Sequence, residues 1–218
     1  VIGNVSAEPN YLIIKVGQHC VVSPNIAPNI NAVGIGSGHW LFGYNSLIAG
    51  GKNSNNYSRL SAIVAGNSQA IYNGGNLSII LGGENNKISG EYSGILSSIS
   101  SNITGESSLA LGGNNNLVTG DNSTALGSNI SISHNGSTLI SDNQSFTYSS
   151  DANNQFKVRA SGGSTFNSSL SVSGATTLSS TLSVTGTSAL TGEVSINSAT
   201  DSTSTSSGAL TVSGGIGV

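Results

Sequence analysis

Charge is scarce in this sequence, and its scarcity argues against two classes of protein. Asp, Glu, Lys and Arg make up 7% of the 218 residues, against roughly 25% in a typical soluble domain. The 6 basic residues are scattered, whereas a nucleic-acid-binding surface needs a clustered basic footprint. The longest apolar runs, such as 11–16, are far shorter than the ~20 residues that span a bilayer. We therefore expect no nucleic-acid partner and no membrane insertion in this segment.

Sulfur-containing residues are almost missing as well. Cys20 is the single cysteine, so no disulfide can form within the chain. Its apolar neighbours predict a small buried side chain rather than a reactive thiol. The sequence has no methionine and begins at Val1, and we interpret it as a piece of a longer or processed polypeptide.

The residue types that enzymes use form no constellation in this sequence. His19, His39 and His134 are far apart and lack the spacing of metal ligands. The glycine clusters at 34–38 and 214–217 superficially resemble phosphate-binding loops, but 30 residues are glycine and no strand–helix context follows. We predict no catalytic, cofactor-binding or metal-binding residues, no cofactor and no enzymatic activity.

The carboxylates are dispersed, mostly at predicted turns, without an evident acid–base pair. Stacked repeats would align Glu91, Glu106 and Asp121 at equivalent corners. We interpret that column as a solvated charged edge, with metal binding as the weaker alternative.

What the sequence does contain is an internal repeat of about 15–16 residues that starts near residue 45. In each unit a short aliphatic run ends in a small residue, as in Ser108-Leu-Ala-Leu-Gly112. The closing positions are Gly50, Gly66, Gly82, Ser97, Gly112 and Gly127. A second glycine follows in most units, at Gly74, Gly90, Gly105 and Gly120, and an aliphatic residue precedes the later ones, at Ile88, Ile103 and Val118. Two short strands and two glycine-permitted turns per unit are the pattern of a β-solenoid.

Stacking these coils predicts two interior ladders of aliphatic side chains. The first ladder is expected to contain Ile48, Val64, Ile80, Ile95, Ala110 and Ala125. The second is expected to contain Ala49, Ala65, Leu81, Leu96, Leu111 and Leu126. One coil buries too little apolar surface to offset the entropy of ordering about 15 residues at roughly 1.5 kcal/mol each. We therefore expect stacking to be supplemented by homotrimerisation.

A different repeat, about 12 residues long, occupies the C-terminal part of the chain. Leu170-Ser-Val-Ser-Gly174 recurs as Leu182-Ser-Val-Thr-Gly186 and, more loosely, as Val194-Ser-Ile-Asn197, at the same offset each time. Leu and Val alternate with Ser, as in a strand with one buried face. We predict a fibrous β-shaft over residues 167–218, whose apolar side chains meet around a shared axis. The alternative is a flexible linker rich in Ser and Thr.

The remaining segments complete the predicted domain plan. Residues 1–44 are expected to form an irregular N-terminal β segment of the head, and residues 45–144 the solenoid. Residues 145–166 carry more aromatic and charged side chains and are predicted to be a collar. We expect those aromatics to cap the last coil rather than to bind a ligand, because an open solenoid end is an exposed sheet edge.

Several of these units resemble a known family. The unit at 108–120, of the form S-x-A-L-G-G-x-N-N-x-V-x-G, is similar to the head repeats of trimeric autotransporter adhesins and to repeats in phage and large-virus fibres. The stretch 151–163 resembles segments that follow such repeats, and 182–186 and 201–218 resemble shaft units of viral fibres. The repeats are longer than is usual in adhesin heads, Ser97 replaces a glycine, and no heptad stalk is visible.

The resemblance implies a homotrimer with a left-handed parallel β-roll head and a fibrous β-shaft. It implies a structural fibre protein on a virion surface or phage tail, with the head and neck of a bacterial surface adhesin as the alternative. The implied partners are further copies of the chain, other virion or surface components, and a host-surface glycan or receptor. Receptor-contact residues cannot be assigned from the sequence: Trp40, Tyr44, Tyr57, Tyr72 and Tyr92 would suit sugar stacking or packing against neighbouring coils equally well.

Overall fold

The computed structural model describes the backbone at 5–8, 11–16 and 21–22, and backbone and side chains at 32–142, 144–197, 201 and 207–214. Its described residues contain 20 strands and no helix. The chain divides into two units, Val1–Thr165 and Phe166–Val218, and all strands lie in the first.

The first unit is a β-solenoid in which every coil contributes one strand to each of two sheets. The 11-stranded sheet contains β1 (Val5–Glu8), β2 (Tyr11–Val16), β4 (Ala32–Ser37), β6 (Ser46–Lys52), β8 (Ala62–Val64), β10 (Ile79–Glu84), β12 (Gly94–Ile99), β14 (Leu109–Leu111), β16 (Thr124–Gly127), β18 (Thr138–Ser141) and β20 (Phe156–Arg159), in that order. The nine-stranded sheet contains β3 (Val21–Val22), β5 (Trp40–Leu41), β7 (Asn55–Asn56), β9 (Ala70–Ile71), β11 (Lys87–Ile88), β13 (Asn102–Ile103), β15 (Leu117–Val118), β17 (Ile130–Ile132) and β19 (Tyr148–Ser149), also in sequence order.

Pairing between successive coils is parallel, except that β1 and β2 are antiparallel. The predicted all-β solenoid is therefore confirmed. Segments 1–44 and 145–166, expected to be an irregular start and a collar, contain β1–β5 and β19–β20, which belong to the same two sheets. The hand of the coil and the trimeric shaft stay predictions.

One interior ladder runs through the 11-stranded sheet. Its residues pair directly, coil to coil, and all are fully buried: Ile48, Ile63, Ile80, Ile95, Ala110, Ala125 and Leu139. From the nine-stranded sheet, Leu41, Ile71, Ile88, Ile103, Val118 and Ile132 pack against it. These two rows form the apolar core.

Part of this core differs from the predicted one. Ile63, not Val64, occupies the interior ladder, because the coil before it is shorter and the coil after it longer than evenly spaced glycines suggest. The second predicted ladder is not interior. Leu81 and Leu126 are 36% and 41% exposed, since neighbouring residues of a strand point to opposite faces. Val64, which is 37% exposed, pairs with Ala49 and Leu81 in this outward column, in the place predicted for Ala65.

Buried polar side chains form two further ladders beside the apolar core. At one corner the buried serines are Ser46, Ser61, Ser78, Ser93, Ser108, Ser123 and Ser137. From Ser78 onward each hydroxyl accepts a bond from the backbone N–H of the next serine, at 2.9–3.1 Å. At the other corner the ladder consists of His39, Ser54, Gln69, Asn86, Ser101 and Asn116, each accepting a bond from the backbone N–H one coil on.

The corners also need left-handed backbone, which the sequence supplies mostly with Asn, Ser and Gly. One column of positive-φ residues contains Asn53, Ser68, Asn85, Ser100, Asn115 and Asn129. Elsewhere the corners stack too closely for a side chain. A Cβ on Gly105 would lie well inside contact distance of the Gly120 carbonyl, which explains the predicted second glycine of each coil.

The second unit contains no strand within its described residues. Its regularly spaced aliphatic side chains are about half exposed or more. Leu182 and Leu190 are 72% and 73% exposed. Among its described residues, the apolar pattern of this unit therefore has no buried face within the single chain.

Candidate functional site

Part of the outward face of the 11-stranded sheet, away from the exposed Lys52 and Glu84 at the ends of β6 and β10, is an apolar surface without charge. We call this surface the outer face. It consists of the two columns of residues that flank the interior ladder, namely Val33, Leu47, Ala62, Ile79, Gly94, Leu109, Thr124, Thr138 and Phe156, and Ile35, Ala49, Val64, Leu81, Leu96, Leu111, Leu126, Ile140 and Val158.

The outer face is accessible along its whole described length. Its side chains are mostly half-buried or exposed, and Phe156 at the last coil is 71% exposed. A contiguous apolar surface of this kind usually marks an interaction site. It also explains why the second predicted ladder is so aliphatic although it is not interior.

The nine-stranded sheet presents a different outward surface. Its outward positions are mixed: Asn55, Lys87 and Asn102 are polar or charged, whereas Trp40 and Leu117 in the same column are 48% and 41% exposed. Thr104 and Thr119, directly after β13 and β15, are exposed as well. Unlike the outer face, this surface therefore includes polar and charged side chains.

Aromatic side chains cluster where the chain leaves the nine-stranded sheet in the first described coils. The rings of Phe42 and Tyr57 stack at 5.1 Å between centroids, and those of Tyr57 and Tyr72 at 6.1 Å. Trp40 tilts against Phe42 at 5.9 Å. Three of the five aromatics singled out from the sequence, Trp40, Tyr57 and Tyr72, therefore belong to one cluster.

The other two singled-out aromatics lie at the following corner. Tyr44 is partly buried against the core and lines a cavity together with Phe42 and Tyr57. Tyr92 is 60% exposed and has a left-handed backbone. Sequence reasoning missed Phe42, because the aromatic column becomes visible only when the coils are stacked in register.

The predicted acidic column is present as a structural feature. Glu91, Glu106 and Asp121 occupy equivalent corners, as shown by the backbone bonds from Ser107 to Glu91 and from Asn122 to Glu106, both 2.8 Å. The Asp121 carboxylate accepts a bond from the Glu106 backbone N–H at 2.9 Å. Within the described residues no group of three or more His, Cys, Asp or Glu side chains is arranged to hold a metal.

The histidines are not brought together. His39 is fully buried in the polar ladder, where Nδ1 accepts a bond from the Ser54 N–H at 3.3 Å and Nε2 donates to the Ile35 carbonyl at 3.1 Å. Burial lowers the pKa of His39 below its ordinary value, against the smaller raising effect of the backbone bonds. His134 bonds to Ser150 at the last coils, and His19 and Cys20 lie outside the described residues.

Part of the predicted collar, residues 145–166, packs around Arg159. The Arg159 guanidinium lies 4.4 Å from the Phe146 ring and 4.8 Å from the Tyr148 ring, and its Nε is 3.4 Å from Asp142 Oδ1. Bonds from the Ser161 side chain and backbone hold the pKa of Asp142 below its usual range. These contacts use Phe146 and Tyr148 for packing, whereas Phe156 and Phe166 are 71% and 66% exposed, and the capping role of the collar stays a prediction.

Comparisons with other proteins identify no relative: no protein-family model, no curated protein and no solved structure matches this chain. No helix among the described residues has the length and apolar character needed to cross a membrane.

Proposed function

We propose that this chain is a structural, non-enzymatic segment of a homotrimeric fibre that displays an attachment surface. The observation that carries this proposal is the outer face, an uncharged apolar surface on a solenoid whose own core is already complete. Since the core needs no further cover, these side chains serve contact with something outside the chain.

Further copies of the same chain are the occupant that best fits the outer face. The face contains no charged residue that a partner of opposite charge would recognise. The second unit has the same requirement, because its regularly spaced leucines and valines are exposed. Identical chains aligned in parallel would cover both the outer face and the exposed aliphatic side chains of the second unit. The number three comes from the resemblance to trimeric fibre heads.

The resemblance also supports a location on a virion surface or phage tail. There the fibre would contact other virion components at one end and a host-surface glycan or receptor along its exposed surface. Three copies in each fibre would raise the effective affinity of a weak contact through multivalency. A bacterial surface adhesin with the same head is the alternative, and a complete reading frame with a heptad stalk would favour it.

The mass of the full chain in solution tests this proposal. We expect light scattering to give three times the chain mass of 21.7 kDa. Leu126→Asp, which places a charge on the outer face, is expected to shift the mass toward that of a single chain while circular dichroism remains that of a β-protein. Thr104→Asp, directly after β13 of the nine-stranded sheet, is the matched control and should leave the mass unchanged. A folded wild-type monomer would contradict the proposal.

A further inference from the structure

Between β5 and β20, one corner on the side of the aromatic cluster departs from the regular length, and it adjoins that cluster. Each corner on this side joins a strand of the nine-stranded sheet to the next strand of the 11-stranded sheet. The inward residues of two strands joined in this way are usually seven positions apart, as for Asn56 and Ile63. From Ile71 to Ile80 the offset is nine. The two extra residues lie in the turn after Tyr72, where the Gly75 N–H bonds to the Tyr72 carbonyl at 2.8 Å.

This enlarged corner forms one side of a groove. A cavity of about 450 Å³ is lined by Phe42, Tyr44, Tyr57, Arg59, Asn73 and Asn76. Cavities of about 400 and 220 Å³ adjoin it, and Arg59 lines all three. The depressions therefore form one extended, shallow groove rather than a closed pocket, and its shape suits a chain of several units better than a small molecule.

The polar groups of the groove include both donors and acceptors. The Arg59 guanidinium is exposed and makes no hydrogen bond or ion pair with the described residues. Asn76 Nδ2 donates to Glu91 Oε1 at 2.7 Å, which fixes a carboxylate at the far end of the groove. Arg59 and Glu91 offset each other in charge, so the groove favours a ligand that is polar but neutral.

One flat apolar surface is open on the aromatic side of the groove: Phe42 and Tyr72 cover the two faces of the Tyr57 ring, which leaves the outer face of the Tyr72 ring, next to Asn73. At the position of Tyr57 and Tyr72 the next coil has Ser89, so the aromatic column ends there and the Tyr72 side chain is 42% exposed. Rings with exposed area pack well against flat apolar partners, and the C–H face of a pyranose sugar is such a surface. Hydroxyl groups at the rim of the same sugar would bond to Arg59, Asn73 and Asn76.

We propose that the groove around Arg59 binds a neutral hexose oligosaccharide, with the open face of the adjoining Tyr72 ring as stacking surface and Arg59 as hydrogen-bond donor to sugar hydroxyls. This inference rests on the proposed display function, because it names the class of ligand that the fibre would bind. A peptide fits less well, because the backbone groups of these coils are already paired between strands and offer no edge.

Binding of the full chain to immobilised neutral and acidic oligosaccharides, with an unstructured peptide set alongside, tests the site. We expect retention on neutral hexose oligosaccharides. Calorimetry with a retained sugar should show a loss of roughly tenfold or more for Arg59→Ala and for Tyr72→Ser, as expected when a charge-assisted hydrogen bond or a stacking contact is removed. Tyr72→Ser is compatible with folding because Ser89 occupies the next place in the same column.

Two control variants separate the groove from the general surface. Lys87→Ala removes an exposed cation of the nine-stranded sheet. Tyr92→Ser removes an exposed aromatic side chain that lies outside the aromatic cluster and lines none of these three cavities. Both variants should bind as the wild type does. Retention only on acidic sugars or on peptides, no retention at all, or equal losses in all four variants would overturn the site. A trimer that binds no sugar leaves the fibre proposal standing, whereas a monomer that binds in this groove supports the site and contradicts the assembly.

Discussion

The two units of this chain have equally regular apolar patterns, yet only one of them buries its pattern. In the solenoid, Ile80, Ile95 and Ala110 pair directly from coil to coil and are fully buried. In the second unit, Leu170, Leu182 and Leu190 belong to a strict repeat and remain mostly exposed. The chain composition is similarly rich in small polar residues on both sides of the boundary.

The difference depends on whether one repeat can fold back on itself and cover the apolar face of its neighbour. A coil of the solenoid holds two strands and two turns, so the chain returns to its starting point and covers the previous coil. The shorter unit of the second repeat has a single alternating stretch and leaves its apolar face without a partner among the described residues. A regular apolar period therefore predicts burial, but the partner that provides it depends on whether the repeat folds back on itself.

The largest test of this comparison places a charge in each unit. Ile95→Asp puts a carboxylate into the interior ladder, where burial of an unpaired charge is expected to cost more than about 4 kcal/mol and to abolish the solenoid. In the Leu126→Asp background, in which the chains are not expected to assemble, Leu182→Asp at a side chain that is 72% exposed should change the free energy of solenoid unfolding by less than about 0.5 kcal/mol. Denaturant unfolding followed by circular dichroism measures both. Equal losses would mean that the second unit has a buried core of its own.

A smaller effect is expected from removing one hydroxyl in each unit. Ser108 Oγ accepts the bond from the Ser123 N–H at 3.1 Å, and Ser108→Ala leaves that buried donor without a partner. The loss should be about 1–3 kcal/mol in the same unfolding experiment. Ser179→Ala, in the exposed second unit, is the control and should have no measurable effect. If Ser108→Ala were neutral, water would have to replace the hydroxyl in the ladder.

The architecture of the solenoid was predictable because the spacing of aliphatic residues and glycines shows the repeat period. The register was not fully predictable. The enlarged corner after Tyr72 adds two residues to one coil. The evenly spaced glycines distribute these two residues over two coils, so the prediction placed Val64 where the structure has Ile63. Only backbone pairing distinguishes these neighbours, since both are aliphatic.

The polar ladders were missed for a different reason. Ser and Asn are common in this sequence and usually face solvent, so their burial cannot be inferred from residue type. A signal did exist, because Ser78, Ser93, Ser108 and Ser123 begin successive aliphatic runs. The groove around Arg59 was unpredictable, since it joins residues from three coils and depends on the enlarged corner.

The pH dependence of stability gives a third, smaller test, confined to the solenoid. Burial lowers the pKa of His39, so below its ordinary value of about 6.5 the unfolded chain takes up a proton that the folded chain resists. The His39 contribution to stability should therefore be constant above that pH and decline as the pH falls toward the lowered folded pKa. His39→Gln, chosen because Gln69 fills an equivalent place in the same ladder, should show a flatter profile between pH values of about 7 and 5. Identical profiles would contradict the buried neutral histidine.

The smallest expected effect is a gain in stability. Ala65 has a φ of 59° in a column otherwise occupied by Gly50, Gly82, Ser97 and Gly112, and an alanine in this region is strained by roughly 1–2 kcal/mol. Ala65→Gly relieves the strain, while the greater freedom of glycine in the unfolded chain offsets part of the gain.

A net stabilisation of about 0.5–1 kcal/mol is therefore expected for Ala65→Gly, measured as a shift of the unfolding midpoint at unchanged slope. Ala189→Gly, at an exposed position of the second unit without regular structure, should leave the solenoid transition where it is. A destabilised Ala65→Gly would show that the methyl group contributes more by packing against the neighbouring coil at Gly50 than its backbone conformation costs. In that case even a corner of the solenoid would be held by side-chain contact between coils, which sharpens the contrast with a second unit whose side chains remain exposed.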